Sequence, residues 1–384
     1  MNNTANSRIP SDLILVLLFF MAVSIAALYN MEQFTQASDN YAFKQGVWYA
    51  VGTMLVIGVR FFDLHQLYKL SLPAYLFGLV VLAVLLVVAQ PINGAKSWFT
   101  LPGMTLQPSE FTKITTIMYL SAVIVNHKNK YEKRKFMTDL LLLFKLIGVI
   151  ALPVALIMQQ PDFGTSVVYL VILGAAVIFS GINWKLISLT AVLFGGIAAG
   201  LGFVAVQYTE FATENLPIDK YQVDRLETWI LGEEQQADES YQVSKSLVAI
   251  GSGQLFGKGI GDLEVYIPEA QTDFIFAIIG ESFGFVGCSI LILVYFYLIY
   301  RLMTLGLLVH KVDPFGAYFC FGFLIMLSVH AFQNIGMTIG VMPITGIPLL
   351  LISYGGSSVL ATMLGMGVVY RVYEEYLRSK ERMF

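Results

Sequence analysis

Asp273 is the acid whose setting best suits proton transfer. It ends the word Pro268-Glu269-Ala270-Gln271-Thr272-Asp273, where a polar stretch runs into an apolar one. The carboxylate could simply cap the helix that follows, since Asp and Thr favour that position. It could also serve as a general base, because partial desolvation at a membrane edge raises a carboxyl pKa towards working pH. Glu110 and Lys113 stand at i, i+3 in Gln107-Pro108-Ser109-Glu110-Phe111-Thr112-Lys113, on one helix face where they can pair. Such a pair either fixes helix packing or lines a polar groove. Trp98, in Lys96-Ser97-Trp98, fits an interfacial belt. Glu281 follows Asp273 by eight residues. One continuous helix would place it about 12 Å deeper, paired with a cation of another helix. Lys145 is expected to snorkel. The stretch Gly251-Ser252-Gly253-Gln254-Leu255-Phe256-Gly257-Lys258-Gly259 looks like a phosphate loop, but Gly259 stands where Ser or Thr is needed. Backbone N–H groups of such a loop could still hold a pyrophosphate. His65, His127, His310 and His330 show no ligand spacing, and His330 reads as a packed polar group. Cys288 and Cys320, each inside an apolar run, fit neither a disulfide scaffold nor a zinc site.

The elements that must hold these residues are membrane helices. The chain has 384 residues, 57% hydrophobic and 13% charged, with a mean hydropathy of +0.71. An ordinary soluble domain carries about 25% charged residues, so a soluble enzyme is excluded. The net charge of −3 argues against a nucleic-acid partner. The expected fold is all-α and polytopic, with ten transmembrane helices near 12–29, 45–62, 72–90, 107–126, 138–158, 164–181, 185–207, 273–301, 315–337 and 346–373. One long extracellular loop, 208–272, would join the seventh and eighth. The chain reads as a single integral membrane domain, 1–384, whose first span is a signal anchor. Lys and Arg are far denser on the side holding Lys128, Lys130, Lys133, Arg134 and Lys135. That side should be cytoplasmic, with both termini. Between 343 and 358, Pro343, Gly346, Pro348, Gly355 and Gly356 interrupt an apolar run. Broken backbone at that depth either lines a cavity or is buried in protein.

Taken together, these stretches resemble the SEDS family (shape, elongation, division and sporulation proteins). The matching words are NGAKSW at 93–98, QPSEFTKI at 107–114, QPDFGTS at 160–166, YQ at 221–222 with Arg225, YQ at 241–242, AIGSG at 249–253 and GKG at 257–259. The densest are PEAQTDFIFAIIGESFGFVG at 268–287 and QNIGMTIGVMPITGIPLLLISYGGSS at 333–358. The words and their order cover essentially the whole chain. Departures fall at Ser282, where the family often has Glu, at Gln254, where it has Gly, and at Leu350 or its neighbour, where it has Pro.

The resemblance implies a peptidoglycan glycosyltransferase that polymerises lipid II on the outer face of the bacterial cytoplasmic membrane. Asp273 matches the family's essential aspartate and would take the proton of the acceptor sugar's 4-hydroxyl. Glu110, Lys113 and Trp98 would be groove residues, with Trp98 positioning substrate. Lys96, Arg225, Lys245 and Lys258 are candidates to neutralise the pyrophosphate leaving group, and a divalent cation such as Mg2+ or Mn2+ is the alternative. The implied partners are a class B penicillin-binding protein, which supplies transpeptidation, and other elongation-machinery membrane proteins. The tails and the SGQLFGKG stretch look more like the RodA branch of side-wall elongation than the FtsW branch of division. Two rivals stand beside this reading. A lipid II flippase needs a polar path through the whole membrane, and a non-catalytic scaffold for a transpeptidase would tolerate loss of Asp273.

Overall fold

A computed structural model describes residues 11–35, 40–90, 95–101, 104–131, 133, 135–208 and 237–382. Arg225, Tyr221-Gln222, Asn93-Gly94 and the first part of the 208–272 stretch lie outside the described residues. The helices are α1 (Ser11–Thr35), α2 (Tyr41–Val59), α3 (Leu64–Val88), α4 (Pro108–Lys130), α5 (Phe136–Met158), α6 (Phe163–Ser180), α7 (Trp184–Gln207), α8 (Ala237–Ser252), α9 (Ile275–Val309), α10 (Pro314–Thr338) and α11 (Gly356–Arg382). A hairpin, β1 (Phe99–Leu101) and β2 (Met104–Leu106), pairs Thr100 with Thr105. Eight of the described helices are long and apolar enough to cross a membrane. The chain is a polytopic helical membrane protein.

Local chemistry sets the helix ends. Pro108 and Pro314 open α4 and α10 at positions whose N–H groups need no partner. Asp162 caps α6, accepting from the Thr165 N–H at 3.0 Å, and Gly181 ends it at φ 71°. Inside the bundle, α4 packs against α3, α5, α6, α10 and α11. This central position explains why α4 carries polar residues that the lipid-facing helices lack. Helix α7 instead presents Leu189, Val192, Leu193, Phe194 and Ile197 outward.

Two segments depart from the simple span pattern. Helix α9 breaks at Gly284, whose φ of 65° and ψ of −164° interrupt the helix. A Cβ there would sit 2.3 Å from the Gly257 nitrogen, so only glycine allows the approach. At about 1.5 Å per residue, an unbroken α9 would far exceed a bilayer core of about 30 Å. The break leaves 275–283 as a half-helix and 285–309 as the crossing part. The expectation of a continuous span from 273 to 301 is corrected accordingly, and so is the placing of Glu281. Glu281 lies beside the end of α1, where Asn30 donates to the Ser282 hydroxyl at 2.6 Å. Its cation is Lys258 of the preceding loop, at 2.8 Å, not one from another helix.

The second departure is 339–355, which is irregular, so that the last helix starts at Gly356 and not near 346. Side chains from four helices satisfy its carbonyls. Asn334 donates to Ile347 O at 3.0 Å, and Gln45 to Ser353 O at 3.1 Å. Tyr295 donates to Leu350 O, Tyr49 to Leu351 O and Ser24 to Ile352 O. The Leu349 carbonyl accepts the N–H groups of Ile352 and Ser353. Ser24 and Tyr49 stand about 12–16 Å inside the helix ends nearest this segment, and Tyr295 lies about 16 Å beyond the break at Gly284. The segment therefore dips into the bundle from its upper end, defined as the end where α1 finishes and α2 begins. Irregular backbone survives at that depth because its polar groups are paired.

Candidate functional site

The dipping segment forms the floor of a cavity of about 890 Å³. Its walls come from the start of α4 (Gln107, Glu110), the start of α6 (Asp162 to Thr165), the segment leading to the hairpin (Ser97, Trp98) and the loop before α9 (Glu269, Thr272, Asp273). Gly164 packs so closely on the floor that a Cβ would meet Thr345 O at 2.5 Å.

Asp273 is fixed through its backbone. Its N–H donates to Glu269 O at 3.1 Å, and its carbonyl accepts from Asn334 Nδ2 at 2.9 Å. The neighbouring carbonyls tie the same loop to the floor, since the Ser353 hydroxyl donates to Thr272 O at 2.6 Å and the Tyr354 N–H to Gln271 O at 2.8 Å. Phe274, not Asp273, occupies the N-cap position of α9. A Cβ built on Gly346 would lie 3.7 Å from Asp273 Oδ2. The carboxylate thus stands where loop, floor and cavity meet.

Glu110 and Lys113 pair as their spacing allows, at 2.7 Å, and are only 4% and 1% exposed. Glu110 lines the cavity and Lys113 sits behind it. His330, 1% exposed, also lines the cavity. Its Nε2 is 3.0 Å from Lys113 Nζ and its Nδ1 is 3.0 Å from Pro348 O. A carbonyl can only accept, so Nδ1 carries the proton and Nε2 accepts from the ammonium. The sequence reading of His330 as a packed polar group holds, since it is 1% exposed, but its place on the cavity was not anticipated. The available signal was its i, i+4 spacing to Asn334, which puts both on the face of α10 that meets the floor.

Asp162 also reaches the cavity. It accepts from Thr165 Oγ1 at 2.9 Å and from Gln107 Nε2 at 3.1 Å, tying α6 to α4. Two hydroxyls lining the cavity, Ser97 Oγ on the wall and Thr345 Oγ1 on the floor, are buried without a partner and could bond a polar ligand. Trp98 offers a ring on the same side.

The remaining predicted cations are not gathered there. Lys96 is exposed between the lining residues Ala95 and Ser97. Lys245 lies on α8, 5.2 Å above the Tyr241 ring. Lys258 bonds Glu264 and Glu281 at 2.9 and 2.8 Å. Burial works against its charge, but the bonds and charges of Glu281 and Glu264 outweigh this and raise its pKa above the ordinary 10.5. Glu281 also accepts the Glu264 N–H at 2.8 Å, so this cluster clasps the loop to the half-helix. Among the described residues no group of three or more His, Cys, Asp or Glu side chains could hold a metal ion.

The chain as a whole is similar to known proteins. A family model described as a cell cycle protein, named for FtsW, RodA and SpoVE, matches residues 6–377. A probable peptidoglycan glycosyltransferase FtsW of Dichelobacter nodosus is 30% identical, over 94% of this chain and 88% of its own. The peptidoglycan glycosyltransferase RodA of Treponema pallidum is also 30% identical, over 94% of this chain and 96% of its own. Among solved structures, a chain of a peptidoglycan synthase complex that coordinates polymerization and crosslinking superposes with a TM-score of 0.72. It is 27% identical and covers 94% of this chain and 97% of that one. The rod shape determining protein RodA of Thermus thermophilus gives 0.65 at 27% identity, over 94% and 96%.

Proposed function

The chain belongs to the FtsW/RodA/SpoVE family of cell cycle proteins, and from that premise we propose that the cavity beside Asp273 is where it polymerises lipid II. It is a multi-pass bacterial membrane protein and a peptidoglycan glycosyltransferase. In the proposed step, the acceptor's sugar hydroxyl attacks the donor's anomeric carbon while Asp273 takes the hydroxyl proton. The bond from that carbon to the pyrophosphate breaks, and undecaprenyl pyrophosphate leaves with the electron pair. Attack opposite the leaving group inverts the anomeric centre. The observation that carries this reading is the lodging of Asp273 on a cavity wall with its backbone held at both N–H and carbonyl. A base fixed in this way need not reorganise as the proton moves.

The cavity's polar lining ends at the floor, where Leu349, Leu350, Leu351 and Ile352 are buried. That supports a site open to one side of the membrane over a path for a flippase. Orientation follows from charge, with the cavity outside, both termini cytoplasmic, and α4 and α11 bringing the crossings to ten. Lys113, bonded to Glu110 behind the cavity wall, is assigned to offset the pyrophosphate charge. Lys96, Arg225 and Lys245 are held for the substrate's approach, and Lys258 clasps the loop. Among the described residues no group of three or more His, Cys, Asp or Glu is placed to hold a metal ion at the cavity, and any Mg2+ or Mn2+ is proposed to arrive on the pyrophosphate oxygens. A class B penicillin-binding protein is the proposed partner, supported by the likeness to a chain of a synthase complex. Relatives carry both the FtsW and RodA names, and the elongation role is proposed on the SGQLFGKG stretch.

Purified protein with its transpeptidase partner, given labelled lipid II, tests the assignment by gel. Asp273→Asn should lose glycan ladders by about 100-fold or more, the scale of a missing general base, while still binding the partner. Ladders at the wild-type rate would end the base assignment.

A further inference from the structure

The His330 ring touches both the ion pair of α4 and the cavity floor. Its Nε2 accepts from Lys113 and its Nδ1–H donates to Pro348 O, each at 3.0 Å. Pro348 lies two residues from Gly346, the floor residue beside the Asp273 carboxylate. Without a second acceptor, a buried ammonium would draw both oxygens of Glu110 onto itself, because nothing else pays its desolvation. With His330 in place, Lys113 has two acceptors, and only Glu110 Oε1 is committed to it. The second Glu110 oxygen then remains for a ligand, on a residue that lines the cavity.

We propose that His330 is a positioning residue: it shares Lys113 with Glu110 and so keeps one Glu110 oxygen available to a hydroxyl or amide of the bound sugar. This rests on the cavity's being the polymerisation site. The role needs the acceptor at Nε2, whereas a purely structural role would need the donor at Nδ1 that holds the floor. The two functions can be separated, because glutamine places an acceptor where Nε2 stands and asparagine places a donor where Nδ1 stands.

The test compares His330→Gln, His330→Asn and His330→Phe in the full chain with its transpeptidase partner, by steady-state polymerisation of labelled lipid II and by melting in detergent. Glutamine should keep kcat within about threefold of wild type. Asparagine and phenylalanine should lower kcat by about tenfold, the scale of one hydrogen bond to a charged group, with KM changed less. Asparagine matching or exceeding glutamine overturns the proposal, as does wild-type turnover in the phenylalanine variant. Should the phenylalanine variant not fold, glutamine against asparagine decides alone. Asp273→Asn run in parallel keeps the questions apart. A working Asp273→Asn enzyme defeats the catalytic assignment, whatever the ranking at position 330.

Discussion

Glu110 and Lys113 show how little an ion pair says until its surroundings are known. On an exposed helix face the same i, i+3 spacing contributes about 0.2–0.5 kcal/mol. Here both groups are buried and the pair faces a cavity, so each charge depends on the other. Removing one partner should cost about 3–5 kcal/mol by stranding a buried charge. Glu110→Gln and Lys113→Met are therefore each expected to lower the melting temperature in detergent. The double variant should melt well above the sum of the two losses. Strictly additive losses would show that the charges do not support one another. Activity should fall in all three, since none retains a carboxylate anchored at the cavity wall.

The dipping segment 339–355 turns an interrupted apolar run into a working surface. Its carbonyls at mid-bundle are satisfied one by one by Asn334, His330, Tyr295, Tyr49, Ser24 and Gln45, which come from four helices. Each tie exchanges a cost of burying bare backbone for a hydrogen bond. Tyr49→Phe would leave the Leu351 carbonyl without its partner and should destabilise the segment by about 1–3 kcal/mol. Hydrogen exchange across 347–355 should rise accordingly, while the exchange of α5 and α6 stays unchanged. Equal protection in the variant and the wild type would mean the floor is held by packing alone. Gly284 breaks α9 against the Leu255–Gly257 loop, so that 275–283 follows Asp273's loop as a separate half-helix.

For the molecule as a whole, the arrangement places the cavity at one end and the densest Lys and Arg cluster at the other. Single cysteines at Lys245 and Arg378 test which end faces out. An impermeant maleimide should label Lys245→Cys in intact cells and Arg378→Cys only after permeabilisation. The native Cys288 and Cys320 are buried and should give little background. Labelling of Arg378→Cys in intact cells would reverse the orientation. Much of this was legible in the sequence because membrane insertion reads local quantities: the length of an apolar run, the charge of its flanks, a proline or aspartate at a helix start. Asp273 and the Glu110–Lys113 pair could be singled out for the same reason, since their neighbours in the chain mark the helix ends they occupy. The break at Gly284 was not legible, because an apolar run reads alike whether it continues or turns back. His330 was legible as a packed polar group but not as part of the cavity, because that depends on Lys113 and Pro348 arriving from elsewhere. Composition and order along the chain determined that there is a helical membrane protein with an acid at a loop-to-helix junction. Only the packing of α4, α10 and the dipping segment decided which polar groups share one cavity, because a hydrogen bond between residues far apart in sequence leaves no trace in the spacing of either.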